Sequence, residues 1–291
     1  MQPQEYCRHK AAPPGSSLHY ALLFTDQRTR ADLLALNAYQ REVTEIVDEC
    51  SDRGVAAVKI GWWGEELDRI HRGQARHPVG VALQAAIHRG ALTPDHLGDV
   101  IEGARMDLEY GAYPSFRELS VYCHRVGCTP AEIAVSVCGF RNPGTPTLGH
   151  DLGMGLQITR FLRNLRRHAA DGRVYLPEDE MQRYGVERAA LSADRTGEPL
   201  RALLGDLAER GRTFLTRAID GVASEDRAAQ APLIITATLY RALLTGMSED
   251  SLPVLERRHH LTPVRKLWLA WRTARRERRH ATRRQKGIET Q

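Results

Sequence analysis

Apolar positions recur along most of this chain at spacings of three and four, the period of a helix that buries one face. The clearest run is Leu33, Leu36, Tyr39, Val43, Ile46 and Val47, which predicts a core helix from Thr29 to Glu49. Ser51-Asp52-Arg53-Gly54 breaks it, and Trp62, Trp63, Leu67 and Ile70 predict a second helix beyond the break. Further amphipathic patterns fall near 79–90, 94–111, 115–140, 195–220 and 227–246, with a loop at Pro143, Gly144 and Pro146. From Asp151 to Pro177 the pattern predicts one long helix followed by a short extended segment. Gln157, Arg160, Phe161, Asn164 and His168 then share a helical face, Gly172 is a stop signal and Pro177 cannot continue the helix. Strand-like alternation is nearly absent, so the fold class is all-α. Residues 1–15 read as an irregular leader, 16–274 as one domain, and 275–291 as a basic tail expected to be disordered for want of apolar partners.

Composition changes this picture little. The chain has 291 residues, 42% of them hydrophobic, which is enough for a substantial core. Its net charge of +5 is unevenly placed: Arg265 to Lys286 holds ten Lys/Arg against the single acid Glu277. Such a stretch can meet nucleic acid, anionic lipid or an acidic partner, and charge alone does not choose. The five cysteines, Cys7, Cys50, Cys123, Cys128 and Cys138, show no C-x-x-C pair and no His partner at zinc spacing, so reduced thiols in a cytoplasmic chain are expected. The first residues lack an apolar run, so no secretory signal is expected, and no window reaches the roughly 20 apolar residues of a membrane span.

The 151–177 stretch resembles the second conserved region of the squalene and phytoene synthases, which join two prenyl diphosphates head to head. Family members read L-Q-x-T-N-I-x-R-D-x-x-E-D-x-x-x-G-R-V-Y-L-P. This chain keeps Leu156, Gln157, Thr159 and Arg163, and then Gly172-Arg173-Val174-Tyr175-Leu176-Pro177. It departs at the acidic positions: Arg160 stands for the family's Asn, Asn164 for its first Asp, Arg167 for its Glu and His168 for its second Asp. The first aspartate-rich region, R-E-V-D-D-x-V-D-E in relatives, is here Arg41-Glu42-Val43-Thr44-Glu45-Ile46-Val47-Asp48-Glu49. A third family stretch keeps Asp107 and Tyr113 but has Ala112 where relatives carry a diphosphate-binding Arg. The family's Gly-rich helix break becomes Gly127-Cys128-Thr129-Pro130, where Cys123 and Cys128 read as core packing rather than ligands.

The resemblance covers roughly residues 5–275 and implies an isoprenoid synthase helical bundle around a central cavity. It implies diphosphate or prenyl contacts at Ser16 and Ser17, which otherwise read as a helix cap. Further contacts are implied at Tyr39, Arg41, Gln157 and Tyr240, and at the rewritten face of Arg160, Arg163, Asn164, Arg167 and His168. Glu45, Asp48, Glu49 and Asp107 are the residual candidates for the Mg²⁺ that relatives use. Magnesium prefers oxygen ligands, and imidazole suits it poorly. At about 4 Å and an effective dielectric of about 20, each Arg–Mg²⁺ contact costs on the order of several kcal/mol. Hence no cofactor is expected, with Mg²⁺ required only if the chain is active.

Three readings follow. One is a non-catalytic family member that binds a prenyl diphosphate, another isoprenoid lipid or a protein partner. Another is an active condensing enzyme of presqualene diphosphate synthase type. In the third, Arg160, Arg163, Arg167 and His168 grip an anionic head directly. Near the C-terminus Val264, Leu267, Trp268 and Trp271 form an apolar stripe, expected to pack on the domain; a basic amphipathic helix resting on an anionic inner membrane is the competing reading. Nucleic acid is not an expected partner.

Overall fold

In the computed structural model the backbone is described for residues 1–288 and side chains for residues 1–279, and the elements among them are helical. In chain order they are α1 (Pro3–Ala11), α2 (Ser17–Ala21), α3 (Gln27–Glu49), α4 (Arg53–His71), α5 (Pro78–His88), α6 (Leu97–Glu109) and α7 (Phe116–Cys123). A π-helical turn, His124–Cys128, leads directly into α8 (Thr129–Cys138). Then come α9 (Thr147–Arg163), α10 (Leu165–Ala170), α11 (Glu178–Arg183), a 3₁₀ turn (Arg188–Ser192), α12 (Glu198–Asp220), α13 (Ala231–Glu249) and α14 (Pro263–Ile288). The all-α, single-domain expectation holds.

Local chemistry sets the helix starts. Asp26 accepts from Thr29 N–H ahead of α3, and Asp52 accepts from Val55 N–H ahead of α4. Pro3, Pro78 and Pro232 stand in the first turns of α1, α5 and α13, where a missing N–H costs nothing. Two long helices organise the packing: α3 lies against α1, α5 and α6, and α9 lies against α12, α8 and α13. Helix α9 is buried on nearly every side because glycines open its surface. A Cβ on Gly153 would lie 2.4 Å from the Cys128 backbone, and one on Gly149 would lie 2.6 Å from Glu132 Cα.

Four expectations need correction. Residues 3–11 form α1 instead of an irregular leader, because Cys7 and Ala11 are buried and the Arg41 guanidinium donates to Lys10 O at 2.6 Å. The long helix ends at Arg163: Asn164 (φ −112°, ψ 14°) leaves helical geometry before α10 begins, although His168 N–H still donates to Asn164 O. The expected 115–140 helix is interrupted by the π turn. The domain does not end at 274: α14 continues through Ile288, and the carboxylate of buried Glu277 is paired with Arg227 Nε at 2.6 Å and Arg276 Nε at 2.8 Å. Residues 289–291 of the expected tail lie outside the described residues.

The apolar stripe of α14 also turns the other way. The inward face is Ala270, Thr273, Ala274 and Glu277; the first three are small enough for α14 to approach α13, and Glu277 meets Arg227. Val264, Leu267, Trp268 and Trp271 are exposed, with Arg272 over the Trp268 ring and Arg275 over the Trp271 ring. Among the described residues no helix is long and apolar enough to cross a membrane.

The close approach of α9 to the π turn is testable. Gly153→Ala should destabilise the fold by about 1–3 kcal/mol, since backbone on the facing side cannot rotate away. Urea unfolding of the two proteins measures this, and an unchanged midpoint would contradict the packing described.

Candidate functional site

The site lies where the C-terminal half of α3 faces the end of α9, α10 and the segment that follows. Asp48 projects from α3, and three guanidinium groups converge on its carboxylate. Arg173 reaches Oδ1 at 2.5 Å, Arg167 reaches Oδ2 at 2.7 Å, and Arg160 lies 3.6 Å from Oδ2. Burial pushes the Asp48 carboxyl upward, but the arginines outweigh it and hold the group below the usual carboxylate range. Arg173 also meets Asp171 at 3.1 Å and lies 3.9 Å from Asp107, joining the ion pair to a second, deeper carboxylate.

Asp107 on α6 is buried and accepts from Tyr122 Oη at 2.7 Å and Tyr175 Oη at 2.8 Å. Burial raises its pKa, opposed by those two hydroxyls and by Arg160 and Arg173. Tyr175 comes from the extended segment after Gly172, whose positive φ of 74° turns the chain back. Arg173 N–H caps His168 O, Val174 N–H donates to Gly111 O, and Glu178 N–H donates to Tyr113 O. The expected stop and extended segment are therefore both present. Under the arginines the rings of Phe161 and Tyr175 stack at 4.5 Å, and His168 stands edge-on to Tyr175 at 4.8 Å. The His168 imidazole is buried, and neither ring nitrogen has a hydrogen-bond partner. Burial first, then the charges of Arg160 and Arg173, push it down to about 3, so it is neutral at pH 7.

Two neighbouring acids of α3 are engaged too, while a third faces solvent. Glu45 pairs with Arg41 Nε at 2.7 Å and Lys10 Nζ at 2.9 Å, Glu42 accepts from Tyr6 Oη at 2.7 Å, and Glu49 is exposed. Thr44 Oγ1 donates back to Gln40 O of its own helix. This donor set does not fit Mg²⁺. Glu45 and Asp48 each already hold two or more protein cations, Asp107 is committed to two tyrosine hydroxyls, and the facing helix offers guanidinium and imidazole where oxyanions are needed.

Several expected contact residues serve the fold. Tyr39 is fully buried and donates to Leu97 O at 2.7 Å. Arg41 ties α1 to α3. Ser16 caps α2 by accepting from His19 N–H, and Ser17 is the first residue of that helix. Gln157 Nε2 lies 3.5 Å from Val126 O, leaving its Oε1 unpartnered, and Tyr240 is half-buried against the core. Arg160 and Arg167 meet at Asp48 and His168 packs on Tyr175, whereas Asn164 is buried where α9 ends and Arg163 lies near Arg258 and Lys266. Two cations beside it escaped sequence reading. Arg258 is held below its ordinary value by burial, then by Arg163 and Arg167; Lys266 is lowered by burial, then by Arg163. Both come from the α13–α14 region, too far along the chain for any spacing to link them to α9.

With this geometry in view, comparison with known proteins decides the family: residues 11–265 match the model of the squalene/phytoene synthases. The chain belongs to the squalene/phytoene synthase family. It is 27% identical over 275 residues to 15-cis-phytoene synthase of Synechococcus elongatus, covering 90% of this chain and 89% of the relative. Phytoene synthase of Arthrospira platensis is equally similar, at 27% over 276 residues, with the same coverage of 90% and 89%. Among solved structures, a dehydrosqualene synthase in complex with ligand superposes with a TM-score of 0.82 at 20% identity, covering 93% of this chain and 95% of that one. Squalene synthase HpnC from Alicyclobacillus acidocaldarius gives a TM-score of 0.73 at 21% identity over 86% and 94% of the two chains. The isoprenoid synthase fold expected from the motifs is the fold observed. Within this squalene/phytoene synthase scaffold, the carboxylate of one wall is bound directly by arginines of the other.

The neutral His168 has a measurable consequence. Below its unfolded value of 6.5 the unfolded chain takes up a proton that the folded site refuses until about pH 3. Stability should therefore fall with pH through that interval, by up to about 1.4 kcal/mol per unit from this group. His168→Phe should flatten the slope between pH 7 and 5. The Asp48 contribution, present above the carboxylate value of 3.8 and lost below it, should remain. Urea unfolding at several pH values reads both, and an identical slope in the variant would refute the assignment.

Proposed function

We propose that this family member is a non-catalytic binder of an isoprenoid diphosphate, or of another lipid with an anionic head, and that it grips the anion with arginines instead of a divalent metal. The observation that carries this reading is the Asp48 carboxylate bound by Arg160, Arg167 and Arg173. In a metal-dependent synthase two acidic walls need a cation between them before a diphosphate can dock. Here the cations belong to the protein: Arg160, Arg167 and Arg173 stand against Asp48, Asp171 and Asp107, and the excess of positive charge comes from the further cations close by. Those cations are Arg163, Arg258 and Lys266. Guanidinium groups bind phosphate oxygens in pairs and never lose their charge at physiological pH, so they can replace the metal's attraction. They lack the Lewis-acid pull that a divalent metal exerts on a leaving diphosphate as a carbocation forms.

Farnesyl diphosphate is the test ligand. It should bind equally well in EDTA and in Mg²⁺, and Arg160→Ala should weaken binding about tenfold or more, as loss of a charge-assisted contact does. Incubation with farnesyl or geranylgeranyl diphosphate and Mg²⁺ should yield no condensed product above a no-enzyme control. Mg²⁺-dependent binding would overturn the reading, and absence of any binding would turn it toward a protein partner. An active condensing enzyme is the second reading, favoured by the full-length similarity to phytoene synthases and by retention of Glu45, Asp48 and Asp107. Turnover in that incubation would establish it.

This reading also puts the protein on an anionic membrane surface, where an isoprenoid lipid would be met. Val264, Leu267, Trp268 and Trp271 are exposed on α14 beside Arg272 and Arg275, an apolar face flanked by cations. In co-sedimentation, vesicles containing phosphatidylglycerol should retain the protein and pure phosphatidylcholine vesicles should not. The Trp268→Ala/Trp271→Ala pair should lower retention about tenfold or more, given the apolar area each indole buries. Equal retention by the double variant would remove the membrane role.

A further inference from the structure

A second cluster of chemistry-bearing side chains lies on the π turn, and the anion-binding reading does not use it. His124 opens that turn and Cys128 closes it, with Thr129 N–H donating to His124 O across five residues. A turn widened in this way brings residues four and five apart onto one side. His150 joins them from α9. Its position follows from the glycines on either side: Gly149 lets α9 settle onto Glu132, and Gly153 lets it settle onto the Cys128 backbone. Backbones in such close contact carry the His150 carbonyl to within 3.4 Å of Cys128 Sγ and set the two imidazole rings 6.2 Å apart.

The ligand atoms of His124, Cys128 and His150 all lie within 4.8 Å of one another. Tetrahedral zinc with Zn–S of about 2.3 Å and Zn–N of about 2.0 Å holds such atoms about 3.5 Å apart, so side-chain rotation of about 1 Å would close the site. Both imidazoles are exposed and the thiol is buried. Among the described residues neither imidazole hydrogen-bonds to another protein group. Glu132 and Asp151 add negative charge near the sulfur, Asp151 being paired with Arg217 at 2.5 Å. Without a metal the thiol is inert, because burial pushes it up to about 12.

We propose that His124, Cys128 and His150 form a site for a soft divalent metal of the Zn²⁺ class, independent of any magnesium chemistry. One thiolate and two imidazoles suit zinc and leave a fourth position open to water or a small ligand. Binding replaces the Cys128 S–H bond with a sulfur–metal bond and releases the proton to solvent. The ion would fasten the π turn to α9. Val126 of that turn accepts from Gln40 Nε2 of α3 at 2.6 Å, so the fastening reaches the helix that carries Asp48.

The full chain, with any affinity tag removed, should be titrated with Co²⁺ as a spectroscopic probe and dialysed against Zn²⁺ for metal analysis. One equivalent of zinc should be retained, and Co²⁺ should give a thiolate-to-metal charge-transfer band that Cys128→Ser abolishes and Cys123→Ser leaves intact. His124→Gln and His150→Gln should each weaken binding at least about tenfold. Their side chains are exposed, so both variants should fold, and Zn²⁺ should raise the melting temperature of the wild type but not of the double His variant. No retained zinc and no charge-transfer band in the wild type would overturn the proposal, as would an undiminished band in the double His variant.

Discussion

One carboxylate shared by three guanidinium groups governs the relation between the two walls of this molecule. Two acidic walls repel each other until a metal arrives, so a metal-dependent site is an open arrangement that closes on its ligand. An acidic wall facing a basic one attracts it directly. Arg160, Arg167 and Arg173 reach Asp48 from the far side, and their charge draws the two walls together. Removing Asp48 would leave three cations crowded in a partly buried space, where breaking a pair costs more than the pair contributes. The arrangement is therefore self-consistent only as a unit.

The same constraint explains which half of the conserved motif survives. Gly172 to Leu176 persists because it has a structural task. The Gly172 turn lets Arg173 cap His168, Val174 pair with Gly111, and Tyr175 reach down to Asp107 while stacking on Phe161. Leu176 is fully buried. These contacts fasten the connection between α6 and α7 to the end of α10 and are indifferent to whether a metal is used. Asp107 belongs with them. Its burial and its two tyrosine donors make it an anchor for the aromatic layer, which accounts for its retention beside residues that lost their acids.

Much of this was legible in the sequence. The helical period of α3 and α13, the Gly172 stop and the Pro143–Pro146 loop depend on nearest neighbours along the chain, and the pattern carries them. The change of sign at 160, 164, 167 and 168 was visible for the same reason. What was not legible depends on partners far away. Nothing local says that α1 is held by Arg41, that Tyr39 turns to Leu97, or that Glu277 is buried against Arg227 fifty residues earlier. The stripe on α14 misled because apolar residues ordinarily mark the inward face, whereas here a row of small residues lets the helix pack closely and the tryptophans remain outside. Arg173 was read only as scaffold, since its charge matters through Asp48, 125 residues distant.

Helix α9 shows how a single local choice reaches several places at once. Gly149 and Gly153 were unremarkable as sequence, yet they set how near α9 comes to the π turn and α8. That nearness brings His150 beside Cys128 at one end of the interface. Further along α9, Gln157 fills the space beside Gly127, where an added Cβ would meet its Cγ at 2.6 Å. The Val126 carbonyl of the turn is then shared between Gln157 and Gln40 of α3. A side chain at Gly153 would meet the Cys128 backbone and push the π turn outward, moving Val126 with it, whereas one at Gly149 would press on Glu132 of α8. Through the Val126–Gln40 hydrogen bond the missing methyl group at Gly153 therefore bears on α3, the helix that carries Asp48.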